Sequence, residues 1–211
     1  MSTYLFKIAA ASGTAGVAGA SGFGIYKAFN PSSSLSIRDK ILTSHKDRFS
    51  TFLLVGDGNW EKIKVEYEKS DATNKPSNVK KEDLPSWCVR EVDSPFDERD
   101  SSKLDSVLRW CYVNTNSFQT QAGQLNKELH ATESNDSAWK GAWETVYKGL
   151  KDNAQWKINY EDASLNGADK EKGGSALQKW CSSKLNITMF SNEAKDSFPR
   201  FEKFCLKNKA G

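Results

Sequence analysis

The apolar residues of this chain recur with the spacing of amphipathic helices. In the two clearest stretches they fall three, four, seven or eight positions apart, which places them on one face of a helix. These residues are Leu104, Val107, Leu108 and Cys111 in the first stretch, and Trp139, Trp143, Val146, Tyr147 and Leu150 in the second. Stripes this regular usually face a core. Because no long stretch alternates between apolar and polar residues, we predict an all-α fold.

Turn residues and helix caps divide the remaining chain into further segments. We predict additional helices at 36–52, 60–67, 114–130 and 175–185, and a last helix that begins at Pro199. Proline is expected at a helix start because it has no backbone N–H, which the first turn leaves unpaired anyway. The stretch 165–174, rich in glycine and charged residues, has the composition of a linker.

An aromatic residue directly precedes each of the four cysteines, in the doublets Trp87-Cys88, Trp110-Cys111, Trp180-Cys181 and Phe204-Cys205. The first two cysteines lie 23 positions apart and the last two lie 24 apart. A Trp-Glu step followed by a tyrosine precedes each pair, at Trp60-Glu61 with Tyr67 and at Trp143-Glu144 with Tyr147. These similarities indicate two diverged copies of one helical module.

The order of these features divides the chain into three parts: a leader at 1–29, a tether at 30–35 and a helical domain at 36–211. Within the domain we place the approximate modules at 36–131 and 132–211. Solenoids need about three or more repeats to be stable. We therefore expect a duplicated domain and not an extended array.

The leader contains an uncharged segment between Lys7 and Lys27. It covers the 19 residues 8–26, close to the roughly 20 that cross a hydrocarbon core as a helix. We interpret it as a transmembrane helix that anchors the chain in the cell membrane, single-pass, with the C-terminal domain outside. Two alternatives stay open. Ala18-Gly19-Ala20 fits the cleavage site of a secretory signal peptide, and the Gly/Ala composition also suits a flexible leader.

Whether the four cysteines form disulfides depends on the side of the membrane on which the domain lies. Outside the membrane an even number indicates disulfides, so Cys88, Cys111, Cys181 and Cys205 are candidates for two structural bridges. Sequence alone leaves three pairings open, and the near-equal spacings favour Cys88 with Cys111 and Cys181 with Cys205. The alternative is four reduced cysteines buried beside their aromatic neighbours. A zinc site is disfavoured, because the chain has no Cys-x-x-Cys.

The charge distribution gives no indication of a nucleic-acid partner. The chain has 30 Lys and Arg against 27 Asp and Glu, and the two signs are interspersed, whereas nucleic-acid binders concentrate a basic surplus. His45 and His130 are the only imidazoles available for acid–base catalysis, and lone histidines on polar helices are usually solvent-exposed. We therefore assign no catalytic, cofactor-binding or metal-binding residue and expect no cofactor.

Three features carry a family resemblance: the start Met1-Ser2-Thr3 before a Gly/Ala-rich hydrophobic segment, the Trp60-Glu61 step, and the triplets Arg109-Trp110-Cys111 and Lys179-Trp180-Cys181 late in helices. With these features the chain resembles the large paralogous families of uncharacterised proteins in haemotropic mycoplasmas. The resemblance implies a membrane-associated or surface-exposed, antigenic product and lends no catalytic residue.

The function we expect is therefore host interaction or antigenic display by a membrane-anchored helical domain. Its partners would be the membrane, through the N-terminal helix, and an unidentified host protein. The alternative is a secreted soluble effector, or an extracellular enzyme, released by signal cleavage.

Overall fold

The computed structural model describes residues 35–45, 47–132 and 137–209. The predicted leader at 1–29, with its transmembrane helix, lies outside the described residues, as does all of the tether except Leu35. Within the described part helices predominate, so the prediction of a predominantly helical fold is confirmed. The structure adds four strands of two or three residues, which the sequence pattern did not predict.

The α-helices and strands follow the same order twice, and the second series adds a π-helix and a 3-10 turn. The first series is α1 (Ile37–Ser44), β1 (Thr51–Phe52), α2 (Trp60–Glu68), α3 (Leu84–Val92), α4 (Ser101–Trp110) and β2 (Tyr112–Val113). The second series is α5 (Phe118–Gln124), β3 (Lys127–Leu129), α6 (Ser137–Ala142) continued by a π-helix (Trp143–Tyr147), a 3-10 turn (Ala163–Asn166), α7 (Lys170–Lys184), α8 (Asn192–Cys205) and β4 (Leu206–Asn208). We call 36–113 the first repeat and 117–208 the second repeat.

Equivalent backbone hydrogen bonds connect the first and last strands within each repeat. β1 pairs antiparallel with β2, and β3 pairs antiparallel with β4. Directly after the first strand of each repeat, a backbone N–H donates to the carbonyl of the second cysteine. These bonds run from Leu53 to Cys111 and from His130 to Cys205, both at 3.1 Å. The internal duplication is therefore visible in the backbone as well as in the sequence.

Each repeat contains one disulfide. Cys88–Cys111 joins α3 to the end of α4, and Cys181–Cys205 joins α7 to the end of α8, with Cα–Cα distances of 5.3 and 5.6 Å. This is the pairing that the near-equal spacings favour, and no cysteine is free. Each bridge closes a loop of 23 or 24 positions. In the chain-entropy model, a loop of this size stabilises the fold by about 3 kcal/mol.

The buried apolar side chains form two cores, one for each repeat. The division falls between Val113 and Phe118, so α5 and β3 pack with the second core. The approximate module boundary that we placed between residues 131 and 132 does not coincide with this division. Phe190 is an exception, because it belongs to the second repeat and packs in the core of the first.

Two helices are shorter than the sequence pattern indicated. The helix predicted at 36–52 ends at Ser44, because Thr51 and Phe52 form β1 instead. The helix predicted at 114–130 is divided into α5 and β3. Between them, Asn126 has a φ of 57°, a left-handed conformation that an α-helix cannot continue through.

Two other boundaries also differ from the prediction. The expected linker at 165–174 contains the first turn of α7, which begins at Lys170 and is capped by the Asp169 side chain. Pro199 lies inside α8, which begins at Asn192. The buried side chains of Phe198 and Phe201 flank the proline and fix this part of the helix in the second core. Tertiary packing therefore outweighs the local preference of proline for a helix start.

Aromatic contacts identify the corresponding tryptophans of the two repeats. In each repeat a tyrosine packs edge-on against the aromatic residue before the second cysteine. Tyr67 contacts Trp110 and Tyr147 contacts Phe204, both with ring centroids 4.9 Å apart. Trp60 lies seven positions before Tyr67, and Trp139 lies eight before Tyr147. Because a π-helix accommodates one extra residue, Trp139 corresponds to Trp60, and not Trp143 as the Trp-Glu step suggested.

Two glycines allow α7 to pack closely against α6 and the π-helix. A Cβ atom at Gly173 would lie 2.7 Å from Cδ2 of the buried Trp143. A Cβ atom at Gly174 would lie 2.8 Å from Cα of Lys140. Distances this short require a shift of the indole ring or of the α6 backbone. These glycines therefore serve helix packing and are not linker residues.

We expect Gly173→Ala to lower the free energy of unfolding by about 1–3 kcal/mol, because the added methyl group overpacks against Trp143. Gly141→Ala in α6 is the matched control, since no atom lies within 4 Å of a Cβ there. Alanine is the better helix former by about 1 kcal/mol, so the control should keep or raise the unfolding free energy. Urea denaturation measures both variants, and equal effects would contradict the close packing at Gly173.

Candidate functional site

A cleft of about 750 Å³ lies where the two repeats meet. α4 and β2 form one wall, to which they contribute Leu108, Arg109 and Tyr112. The other wall is formed by the segment that leads from Met189 into α8, as far as Pro199. Small-molecule sites usually have volumes of about 300–1,000 Å³. The cleft is therefore large enough to receive a small ligand or a few side chains of a protein partner.

Arg109 connects the two walls through its guanidinium group. Nη1 donates to the backbone carbonyl of Phe190 at 2.6 Å, and Nη2 donates to Oδ1 of Asn192 at 2.7 Å. The guanidinium carbon also lies 4.3 Å from the ring centroid of Trp110. α4 presents this side chain toward the second repeat, while the tryptophan beside it enters the first core.

Glu66 of α2 completes the same network. Its Oε1 accepts the backbone N–H of Asn192 at 2.6 Å and lies 3.8 Å from Nη2 of Arg109. Its Oε2 lies 2.5 Å from Nζ of Lys69. The Asn192 side chain in turn donates to the backbone carbonyl of Asp71 at 2.9 Å. Three elements of the first repeat thus hold the start of α8.

The charges of this network are largely removed from water. The side chains of Glu66 and Arg109 are only 4% and 17% exposed. Burial lowers the pKa of Arg109, while the nearby Glu66 and Asp71 act to raise it. Because the ordinary pKa of arginine lies far above the physiological range, the guanidinium remains charged throughout that range. The network therefore places a permanent positive charge at the cleft wall, with a carboxylate directly behind it.

Phe190 supplies the apolar part of the junction. Its side chain is buried in the first core, although the residue lies between α7 and α8 of the second repeat. Tyr112 and Phe198, each only 8% exposed, also line the cleft, with Asp47 and Lys195 among the charged residues of its lining. The lining is thus amphipathic and carries both signs of charge. Such a surface suits the binding of a partner more than a particular reaction.

The structure places the two histidines in different repeats. His45 follows α1 and is exposed, with Nδ1 3.2 Å from Oγ of Ser44. His130 follows β3 and is half-buried against Trp139, so the expectation of a solvent-exposed histidine is wrong there. Burial and the charge of Lys207 lower the pKa of His130. Among the described residues, no group of three or more His, Cys, Asp and Glu side chains is arranged to hold a metal ion.

Sequence reasoning did not find the junction. Its polar residues Glu66, Arg109 and Asn192 lie 43 to 126 positions apart in the chain, and all three are residue types that usually lie on the surface. The sequence singles out Arg109 only as the residue before the Trp110-Cys111 doublet. Because Trp110 is buried in the first core at the end of α4, the backbone beside it, including that of Arg109, is held in place.

The chain forms a duplicated, disulfide-linked helical domain with a cleft between its repeats. No protein-family model, curated protein or solved structure matches it. None of the helices in the described ranges combines the length and apolar character that crossing a membrane requires.

We expect Arg109→Met to lower the free energy of unfolding by about 2–4 kcal/mol, because it removes the arginine charge beside the buried Glu66 and the hydrogen bonds to Phe190 and Asn192. Arg90→Met in α3 is the matched control. The Arg90 side chain is 65% exposed and its one ion pair among the described residues is with the adjacent Glu91, so the control should change stability by less than about 0.5 kcal/mol. Urea denaturation compares them, and equal losses would show that Arg109 does not hold the junction.

Proposed function

We propose that this chain is a membrane-anchored surface protein whose helical domain lies outside the cell and contacts host molecules. The observation that carries the proposal is the use of all four cysteines in two disulfides, each at most 1% exposed. Disulfides form and persist in oxidising surroundings outside the cytosol. A domain cross-linked by two disulfides is therefore suited to the outer side of the cell membrane.

The amino-acid sequence supports the same interpretation independently. The uncharged segment at 8–26 has the length of a membrane-crossing helix, and the tether at 30–35 separates it from the domain. The resemblance to paralogous surface proteins of haemotropic mycoplasmas suggests host contact or antigenic display. The proposal joins these expectations to the disulfide-linked domain.

The cleft between the repeats is the proposed contact site. Tyr112 and Phe198 line it with aromatic rings that are each 8% exposed. Lys195 and the half-buried Arg109 contribute positive charge. Aromatic residues and arginine are enriched among the residues that contribute most to protein–protein binding. Because Arg109 is already fixed by Phe190 and Asn192, little conformational entropy is lost when a partner binds.

A second candidate is a secreted soluble effector with the same domain. The small residues Ala18-Gly19-Ala20 favour it, because they fit the cleavage site of a signal peptide. An intact-mass measurement distinguishes the two candidates. A chain that begins after residue 20 would identify the secreted form, whereas a chain that begins at Met1 or Ser2 would identify the anchored form.

Brief trypsin treatment of intact cells should release peptides of the helical domain. Cuts after the exposed Lys157 and Lys170 would release the peptide 158–170, which lies between the two disulfide loops. Peptides that contain a cysteine should appear only after reduction. Mass spectrometry of the supernatant measures release, with a cytosolic protein as the leakage control. Detection of these peptides only after cell lysis would place the domain inside the cell.

The full-length chain should remain in the membrane pellet during alkaline carbonate washing. A variant that lacks residues 1–29 should move to the supernatant, because it retains only the polar domain. Immunoblotting of pellet and supernatant measures the distribution. Extraction of the full-length chain by carbonate would exclude the membrane anchor.

A further inference from the structure

The strand pairs of the two repeats can be matched residue by residue. β1 and β2 align Phe52 with Tyr112, one position from the bond between Leu53 N–H and Cys111 carbonyl. β3 and β4 align Leu129 with Leu206, one position from the bond between His130 and Cys205. Phe52 therefore corresponds to Leu129, and Tyr112 corresponds to Leu206.

The first helices of the repeats can be matched in the same way. Ser36 and Ser117 each accept a hydrogen bond from the backbone three residues later and cap α1 and α5. Each serine also forms an isolated β-bridge, with Pro95 in the first repeat and with Thr188 in the second. Counting from these caps, Arg38 corresponds to Gln119, Ile41 to Ala122 and Leu42 to Gly123.

In the first repeat, large side chains fill the space between helix and strands. The Arg38 guanidinium lies 4.5 Å from the ring centroid of Phe52, and that ring lies 4.7 Å from the ring of Tyr112. Arg38 also donates to Asp93 at 2.7 Å. The stack is thus anchored at one end by an ion pair and at the other by the strand pair.

In the second repeat the corresponding side chains are smaller, and a pocket of about 500 Å³ is present. All five of the corresponding positions contribute to its lining: Gln119, Ala122, Gly123, Leu129 and Leu206. Leu185 and the fully buried Phe201 also border the pocket. The duplication has therefore kept the backbone of this region and left open the space that the first repeat fills.

The rim of this pocket is rich in lysine. Lys127 pairs with Glu202 at 2.8 Å, and Lys207 pairs with Glu128 at 3.5 Å. Lys209 also lines the pocket, and no ion pair joins it to another residue in the described ranges. The pocket thus combines an apolar interior with a lysine at its edge that has no ion-pair partner among the described residues.

We propose that this pocket of the second repeat binds a small amphipathic carboxylate with an aliphatic chain. The chain would lie against Leu129, Leu206 and Leu185, in the space occupied by the Arg38–Phe52 stack of the first repeat. The carboxylate would pair with Lys209, which has no ion-pair partner among the described residues. The inference does not depend on the cleft between the repeats or on the location of the domain.

Decanoate is the probe, and the acetylation rate of Lys209 in the full-length chain is the readout. Bound decanoate should slow acetylation of Lys209 at least threefold and saturably below the micellar range, since the ion pair withdraws the amine from the reagent. Peptide mass spectrometry measures the rate, with the exposed Lys157 as the internal control. Decanol, which lacks the charge, and acetate, which lacks the chain, should each protect at least tenfold less well at equal concentration.

The double variant Gln119→Arg and Leu129→Phe fills the pocket with the side chains of the first repeat and should abolish protection. Thermal unfolding verifies that it folds, and Leu54→Phe at a residue that is 74% exposed is the matched control that should keep protection. Equal protection of Lys209 and Lys157, or protection that persists in the folded double variant, would overturn the proposal. Equal protection by decanol would overturn the role of the carboxylate.

Discussion

The second cysteine of each repeat is the residue on which the rest of the repeat depends. Its sulfur is bonded to the first cysteine, which lies in the preceding helix, and its carbonyl accepts the N–H that follows the first strand. Its aromatic neighbour, Trp110 or Phe204, is buried in the core. The α-helices have only 6 to 15 residues, and isolated helices of this length are marginal in water. The disulfide, the backbone hydrogen bond and the aromatic packing at the second cysteine therefore supply the stability that the short helices lack.

This concentration explains how much of the fold the sequence could predict. The doublets and their spacings are visible in linear order, so the helical class, the duplication and the favoured pairing could be inferred. The strands could not, because two or three residues show no alternation and their partners lie 60 or more positions away. Asn126 and Pro199 show that helix ends are equally hard to predict from sequence. A left-handed φ ends one helix unexpectedly, and core packing carries another through a proline.

The candidate site was less predictable than the fold for a related reason. Duplication conserves backbone connections, but sites arise where the copies differ in side-chain size or meet each other. Arg38, Phe52 and Tyr112 close one region of the first repeat, whereas shorter side chains leave it open in the second. The cleft at the junction likewise depends on Phe190, which crosses from one repeat into the core of the other. The spacing of apolar residues along the chain does not reveal these differences in side-chain size between the repeats.

The polar network at the junction determines geometry more than net stability. The apolar contact of Phe190 is non-directional and by itself would fix a distance but not an orientation. Charge-assisted hydrogen bonds from Arg109 to a carbonyl and an amide require particular directions as well as distances. Because burying Glu66 and Arg109 costs much of what their attraction returns, their main effect is to fix how the second repeat meets the first. The same bonds join the two walls of the cleft, so its width is set before any partner binds, and a partner would meet a site that is already ordered.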